Sequence, residues 1–283
     1  MTAARTRDLV DDAIATGTAV LAFNVITLEH AEGIVSGLER AGLPGLLQVS
    51  ENAVRFRQDL LGPLLAACRE LAQQATVPVA LHLDHLQDAG LLRDAVTRAR
   101  GLGVSSVMVD ASRLGYEENV ATTAALSRAA HGVGLWVEAE LGEVGGKDGA
   151  HAPGVRTDPR EAAAFVAATG VDALAVAVGS EHAMTTATAH LDLDLIARLA
   201  AAVPVPLVLH GSSGVPAATL QDAVRAGIRK INIGTALNVA LTAQVRRALA
   251  ADDDLTDPRR YLAPAREAIA ATVAATCAAI RAA

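Results

Sequence analysis

The chain has 283 residues, is 52% hydrophobic but only 2% aromatic, and carries a formal net charge of -7. Aliphatic side chains and alanine must therefore build a large core, and the acidic balance speaks against nucleic acid or an anionic membrane as partner. No apolar run is long enough to span a bilayer, and the stretch from Met1 to Asp8 lacks the apolar centre of a secretion signal, so the expected location is the cytoplasm.

Residues 6–15 read as a short helix closed by Gly17. Apolar runs of strand length then alternate with helical stretches. The expected strands cover 20–25, 45–50, 79–84, 105–110, 135–140, 173–179, 206–211 and 230–235. Most are apolar through the middle, as parallel strands covered on both faces should be. The expected helices cover 29–41, 60–75, 89–101, 117–131, 159–170, 191–201, 216–227 and 236–250. Several end at Gly, and Pro159 and Pro216 sit where a first turn begins. Eight strand–helix units indicate an α/β chain folded as a TIM (β/α)8 barrel, a single domain over 1–283, with additional terminal helices at 6–15 and 257–283. A Gly-x-Gly-x-x-Gly turn is missing after the first strand, which disfavours a dinucleotide-binding doubly wound sheet. Cys68 and Cys277 fall in helices as small hydrophobes, outside any C-x-x-C spacing.

Polar residues are scarce inside the strands and dense at their C-terminal ends, where such barrels carry their chemistry. In order these are Asn24, Ser50, Asp84 with His85, Asp110 with Ser112, Glu138 with Glu140, His182, His210 with Gly211-Ser212-Ser213, and Asn232 with Thr235. Alternation puts His82 and Asp84 on one face of their strand. Past its end the alternation relaxes, so Asp84 and His85 can both reach one cleft. Three rim imidazoles, His85, His182 and His210, match a common catalytic zinc arrangement, although their long spacing equally allows three unrelated histidines. The other histidines, His82 among them, take surface, strand or loop roles. Residues 142–149 form a Gly-rich loop able to fold over a substrate. The only lysines are Lys147, on that loop, and Lys230, which opens the last strand at the wrong end for a Schiff base; a metal mechanism fits better.

Seven segments carry a resemblance: Ala22-Phe-Asn-Val25, Leu81-His-Leu-Asp-His85, Ser105-Ser-Val-Met-Val-Asp110, Val137-Glu-Ala-Glu-Leu-Gly142, Ala175-Val-Ala-Val-Gly179, Val208-Leu-His-Gly-Ser-Ser-Gly214 and Lys230-Ile-Asn-Ile-Gly-Thr235. In this order and spacing the chain, from about residue 20 to Arg266, resembles the class II ketose-bisphosphate aldolases, the zinc-dependent fructose-1,6- and tagatose-1,6-bisphosphate enzymes. The resemblance implies a lyase that reversibly cleaves a ketose bisphosphate to dihydroxyacetone phosphate and glyceraldehyde 3-phosphate. It implies Zn2+ held by His85, His182 and His210, with Asp110 and Glu140 holding the metal in a more buried pose, and Asp84 as the acid/base at the C4 oxygen. It places the carboxylate that handles the C3 proton in the 142–149 loop, at Asp148, where the family has glutamate, or alternatively at Glu143. Gly211, Ser212, Ser213, Asn232, Gly234 and Thr235 are implied for phosphate, Asn24 and Ser50 for substrate, Arg259 for the second phosphate, and Na+ or K+ beside the phosphate. A homodimer or homotetramer is implied as well. Leu86, Ala111, Asp148 and Ala183 depart from the family pattern and point to a different acceptor or an altered proton relay. The alternatives are an aldolase for a related ketose 1-phosphate and a non-catalytic sugar-phosphate-binding barrel.

Overall fold

The computed structural model describes residues 3–141, 156–181, 184–186 and 188–281. In chain order these form α1 (Thr6–Thr16), β1 (Val20–Asn24), α2 (Leu28–Ala41), β2 (Gly45–Ser50), α3 (Glu51–Phe56), α4 (Leu61–Gln74), β3 (Val79–Leu86), α5 (Ala89–Leu102), β4 (Ser106–Val109), α6 (Tyr116–His131), β5 (Trp136–Glu140), α7 (Pro159–Thr169), β6 (Ala173–Ala175), α8 (Leu193–Ala202), β7 (Leu207–Leu209), α9 (Ala217–Ala226), β8 (Ile228–Ile233), α10 (Thr235–Ala251) and α11 (Pro258–Arg281). The strands are parallel and close into a barrel in sequence order, with β8 pairing to β1. This is the (β/α)8 architecture, flanked by terminal helices. Among the described residues no helix is long and apolar enough to cross a membrane.

Period-two alternation divides each strand between two buried environments. Outward residues such as Leu21, Phe23, Leu81, Leu83, Val107, Val109, Ile231 and Ile233 form one apolar cluster with the helices. Inward residues Val20, Ala22, Leu46, Ala80, Met108, Trp136, Ala173, Ala175 and Val208 form a second, with Leu9 and Val10 of α1 packed among them. Trp136 fills space that the many interior alanines leave, and α1 stops the barrel's N-terminal mouth. Thr6, fully buried, ties that stopper to the sheet: its Oγ1 lies 2.6 Å from Ser106 Oγ, and its backbone N–H donates to Ser105 Oγ at 3.0 Å. Farther up the barrel the interior turns from apolar to polar, and there the chemistry begins.

The helices end as the sequence indicates. Gly17, Gly42, Gly103 and Gly170 cap α1, α2, α5 and α7 in the left-handed conformation. Pro159 is the first residue of α7, capped by Asp158, while Pro216 serves as the N-cap of α9. Helix α11 lies across α2 and α10 and touches α9. Its approach to α2 depends on two glycines one turn apart. A methyl group on Gly33 would sit 2.8 Å from Ile269, and one on Gly37 would sit 2.5 Å from Val273. We expect Gly37→Ala to destabilise the protein by about 1–3 kcal/mol through overpacking, read as a lowered midpoint in chemical denaturation.

Candidate active site

The end of β3 is irregular, and the irregularity does the positioning. Pairing with β4 shifts register between Leu83 and Leu86, and His85 takes a left-handed backbone (φ 51°), costly for a side chain of its size. The effect is to turn both Asp84 and His85 inward, where regular alternation would send only one of them. The Glu51 carboxylate at the start of α3 secures the exit: its Oε2 accepts from the backbone N–H of Gln87 (2.7 Å) and Asp88 (2.8 Å). Ser50, which caps α3 by accepting from Ala53 N–H, sets that helix in place.

His85, Glu140 and His210 converge. One ligand atom from each lies within 4.8 Å of the other two, and all three residues are buried. The His85 and His210 rings meet edge to face, 4.7 Å apart. Each imidazole is held from behind by a carboxylate. His85 Nδ1 donates to Asp110 Oδ2 at 2.8 Å, and His210 Nε2 donates to Glu138 Oε1 at 2.8 Å. A donated N–H at one ring nitrogen leaves the lone pair on the other. His85 therefore presents Nε2 to the cluster and His210 presents Nδ1, which lies 3.8 Å from Glu140 Oε2. Asn119 of α6 fixes the end of β5 through bonds to the Glu140 and Leu141 carbonyls. Two imidazoles and a carboxylate, each buried and oriented, make a donor set suited to a divalent ion.

The structure brings Asp110 to His85 rather than into the three-donor group. Its Oδ2 accepts from His85 and Gln87, its Oδ1 from Ser112, and together these hold its carboxyl well below the usual range although burial pushes the other way. Asp84 borders the group. Its Oδ2 accepts from Asn24 Nδ2 (3.0 Å), and Asn24 Oδ1 in turn accepts from Gln48 Nε2 (2.8 Å). A cavity of about 260 Å³ opens above. Asn24, Ser50, Asp84, His85, Gly211, Ser212, Ser213, Asn232, Gly234 and Thr235 all line it. Gly211 has φ 66° and packs on the Glu181 backbone, where a Cβ would come within 2.5 Å of the carbonyl oxygen. Ser213 Oγ accepts from Ala236 N–H at the start of α10, so the serine turn and that helix N-terminus face one space, an arrangement suited to an anion. Arg259 is not brought there. Its side chain is 90% exposed and its guanidinium is paired with Asp257. His182, Glu143 and Asp148 lie outside the described residues.

Residues 4–283 match the sequence family described as Fructose-bisphosphate aldolase class-II. The chain belongs to the class II fructose-bisphosphate aldolase family. It is 40% identical over 270 residues to a probable fructose-bisphosphate aldolase of Bacillus subtilis, covering 94% of this chain and 93% of that one. It is 38% identical over 271 residues to a fructose-bisphosphate aldolase of Staphylococcus aureus, with the same coverage. Among solved structures, the YdjI aldolase of Escherichia coli K12 is 32% identical with a TM-score of 0.82, covering 98% of this chain and 97% of that one. A putative fructose-1,6-bisphosphate aldolase from Coccidioides immitis is 28% identical with a TM-score of 0.87, covering 98% and 96%. As a class II aldolase the chain is a lyase.

Several groups in this aldolase site escape a reading of the sequence. Gln48, Asn52, Glu181 and Asn238 line the cavity as well. Gln48 is legible in principle, since it is the in-register neighbour of Asn24. His82, expected in no more than a strand role, is fully buried beneath the cluster with Nδ1 2.8 Å from Ser106 Oγ. Burial, with Lys230 nearby, lowers its pKa to about 3 and keeps it neutral. Lys230 does not merely open a strand at the barrel's far end. It is the third residue of β8, points inward, and is fully buried.

Proposed function

We propose that this chain is a zinc-dependent aldolase that reversibly cleaves a ketose (bis)phosphate, such as fructose-1,6-bisphosphate or tagatose-1,6-bisphosphate, to dihydroxyacetone phosphate and an aldehyde. The observation that carries the reading is the buried His85–Glu140–His210 donor group with Asp84 on the same cavity wall, in a chain of this family. His85 and His210, with His182, would hold the metal, and Glu140 would offer a further oxygen. Bound zinc would supply Lewis acidity to offset negative charge developing on the substrate oxygens.

The protein's own groups do the rest. In cleavage, the Asp84 carboxylate takes the C4 hydroxyl proton as the C3–C4 bond breaks. The C4 oxygen becomes the aldehyde carbonyl, and the bonding pair stays with the C3 fragment. A loop carboxylate, Asp148 in our reading and otherwise Glu143, then returns a proton to C3. Asn24 holds Asp84 Oδ2 and so directs the carboxylate. The Gly211-Ser212-Ser213 turn and the Asn232-to-Thr235 segment supply backbone N–H groups and hydroxyls for the 1-phosphate, with Na+ or K+ beside it. For Arg259 to take a second phosphate, it would have to exchange Asp257 for that ligand.

A second reading, an aldolase for a ketose 1-phosphate with an uncharged aldehyde, draws on the lining itself. Among the described lining residues there are amides, hydroxyls and the acids Asp84 and Glu181, but no Lys or Arg. Both readings require metal. The purified protein is expected to carry about one zinc per chain, and EDTA should remove zinc and activity together. Parallel assays of the two bisphosphates and of ketose 1-phosphates lacking the second phosphate separate the readings. Full cleavage activity in a metal-free sample would sink both.

A further inference from the structure

Beneath the donor group lies a layer of charge with no access to solvent. Lys230 of β8 reaches across the barrel to Glu138 of β5, three strands away in the sheet beyond β7 and β6, and places Nζ 2.8 Å from Glu138 Oε2. The same ammonium donates to Asn232 Oδ1 at 2.7 Å. Lys230, Glu138 and His82 are completely buried, and His210 rests directly on Glu138. Below, His82 continues the polar column to Ser106 and Thr6 at the stopper.

Hydrogen-bond polarity makes this layer directional. A lysine ammonium only donates, and an ionised carboxylate only accepts. With Lys230 ion-paired to one oxygen, Glu138 stays ionised and offers the other to His210, so the ring must meet it with Nε2–H, leaving Nδ1 to face the donor group. The same logic applies to Asn232. Its oxygen is turned down onto Lys230, so its NH2 is the end left for the cavity that Asn232 lines. The lysine thus orders two upward-facing groups without touching either the metal position or the cavity.

We propose that Lys230 is a positioning residue of the metal and substrate site: through Glu138 it fixes the His210 ring with Nδ1 toward the metal, and through Asn232 it aims an amide donor at the substrate. The inference rests on the metal-site reading above.

The test measures metal binding apart from turnover. Metal-free protein is titrated with zinc against a chromogenic chelator, and Co2+ is added separately to record its visible absorption. Lys230→Met is expected to weaken zinc binding by about 10- to 100-fold, the usual effect of losing a group that orients a ligand, and to change the cobalt spectrum. Because Lys230→Met leaves a buried carboxylate without its counter-charge, the double variant Glu138→Gln with Lys230→Met is made in parallel. It removes both charges, and the amide introduced in place of the carboxylate can turn either end to His210, so the same loss is expected in a folded protein. Ser106→Ala, which removes a polar partner from the same column below His82, should leave zinc affinity and the cobalt spectrum unchanged. A folded Lys230 variant, single or double, with unaltered zinc affinity and cobalt spectrum would overturn the inference alone. Failure of the unaltered protein to bind either ion would overturn the metal-site reading and this inference with it.

Discussion

Asp84→Ala is expected to cut turnover about 100- to 10,000-fold, the range for losing a positioned acid/base, while bound metal per chain stays unchanged. The separation follows from the geometry. Asp84 lines the cavity beside the donor group but is not one of its three members. Its carboxylate is held by Asn24 and supports neither imidazole from behind, a task that falls to Asp110 and Glu138. Deleting it should therefore remove the proton transfer at the C4 oxygen and spare exchange of the C3 proton of dihydroxyacetone phosphate with solvent. Asp148→Ala should do the converse, abolishing C3 exchange, and Glu143→Ala is the comparison that identifies the loop carboxylate. Normal cleavage by Asp84→Ala would show that another group carries the C4 proton.

His210→Ala is expected to weaken zinc binding by more than about 100-fold, since even groups that only orient a ligand are worth 10- to 100-fold. Activity should fall with it and stay low in excess zinc. His210 contributes one of three converging ligand atoms and packs against the other imidazole, so its loss also frees the His85 ring on one side. The variant should fold, because Glu138 keeps its ion pair with Lys230. Metal analysis after gel filtration is the direct check, and one tightly held zinc per chain in the variant would remove His210 from the ligand set.

The barrel was legible because each strand is buried on both faces and so reads as an unbroken apolar run with a polar end. The rim was legible for the same reason. A Ser, Asp or His that terminates such a run has few structural reasons to be there. Element edges were less legible. The strand expected at 173–179 ends at Ala175, and α3 escaped notice because six residues directly after a strand give no helical period to detect. The charged layer was hidden for a deeper reason. Alternation does put Glu138 with Glu140 and Lys230 with Asn232 on the inner face, but a charge inside a barrel makes sense only when its counter-charge is known. Here that partner comes from a strand that is not adjacent, which no local pattern announces. The inward turn of His85 likewise needs the register shift to be seen.

The crossing of α11 over α2 has a consequence for how the molecule is made. Helix α11 follows all eight strands in the chain, yet it covers the glycine-lined face of α2, the helix after the first strand, next to the seam where β1 meets β8. A ribosome releases the chain from its N-terminus onward, so that face stays bare until all eight strands and the helices between them have been made. The nascent protein thus presents an uncovered apolar flank until synthesis has passed Arg281, and the period when it is most open to misassembly or chaperone capture is set by elongation rate.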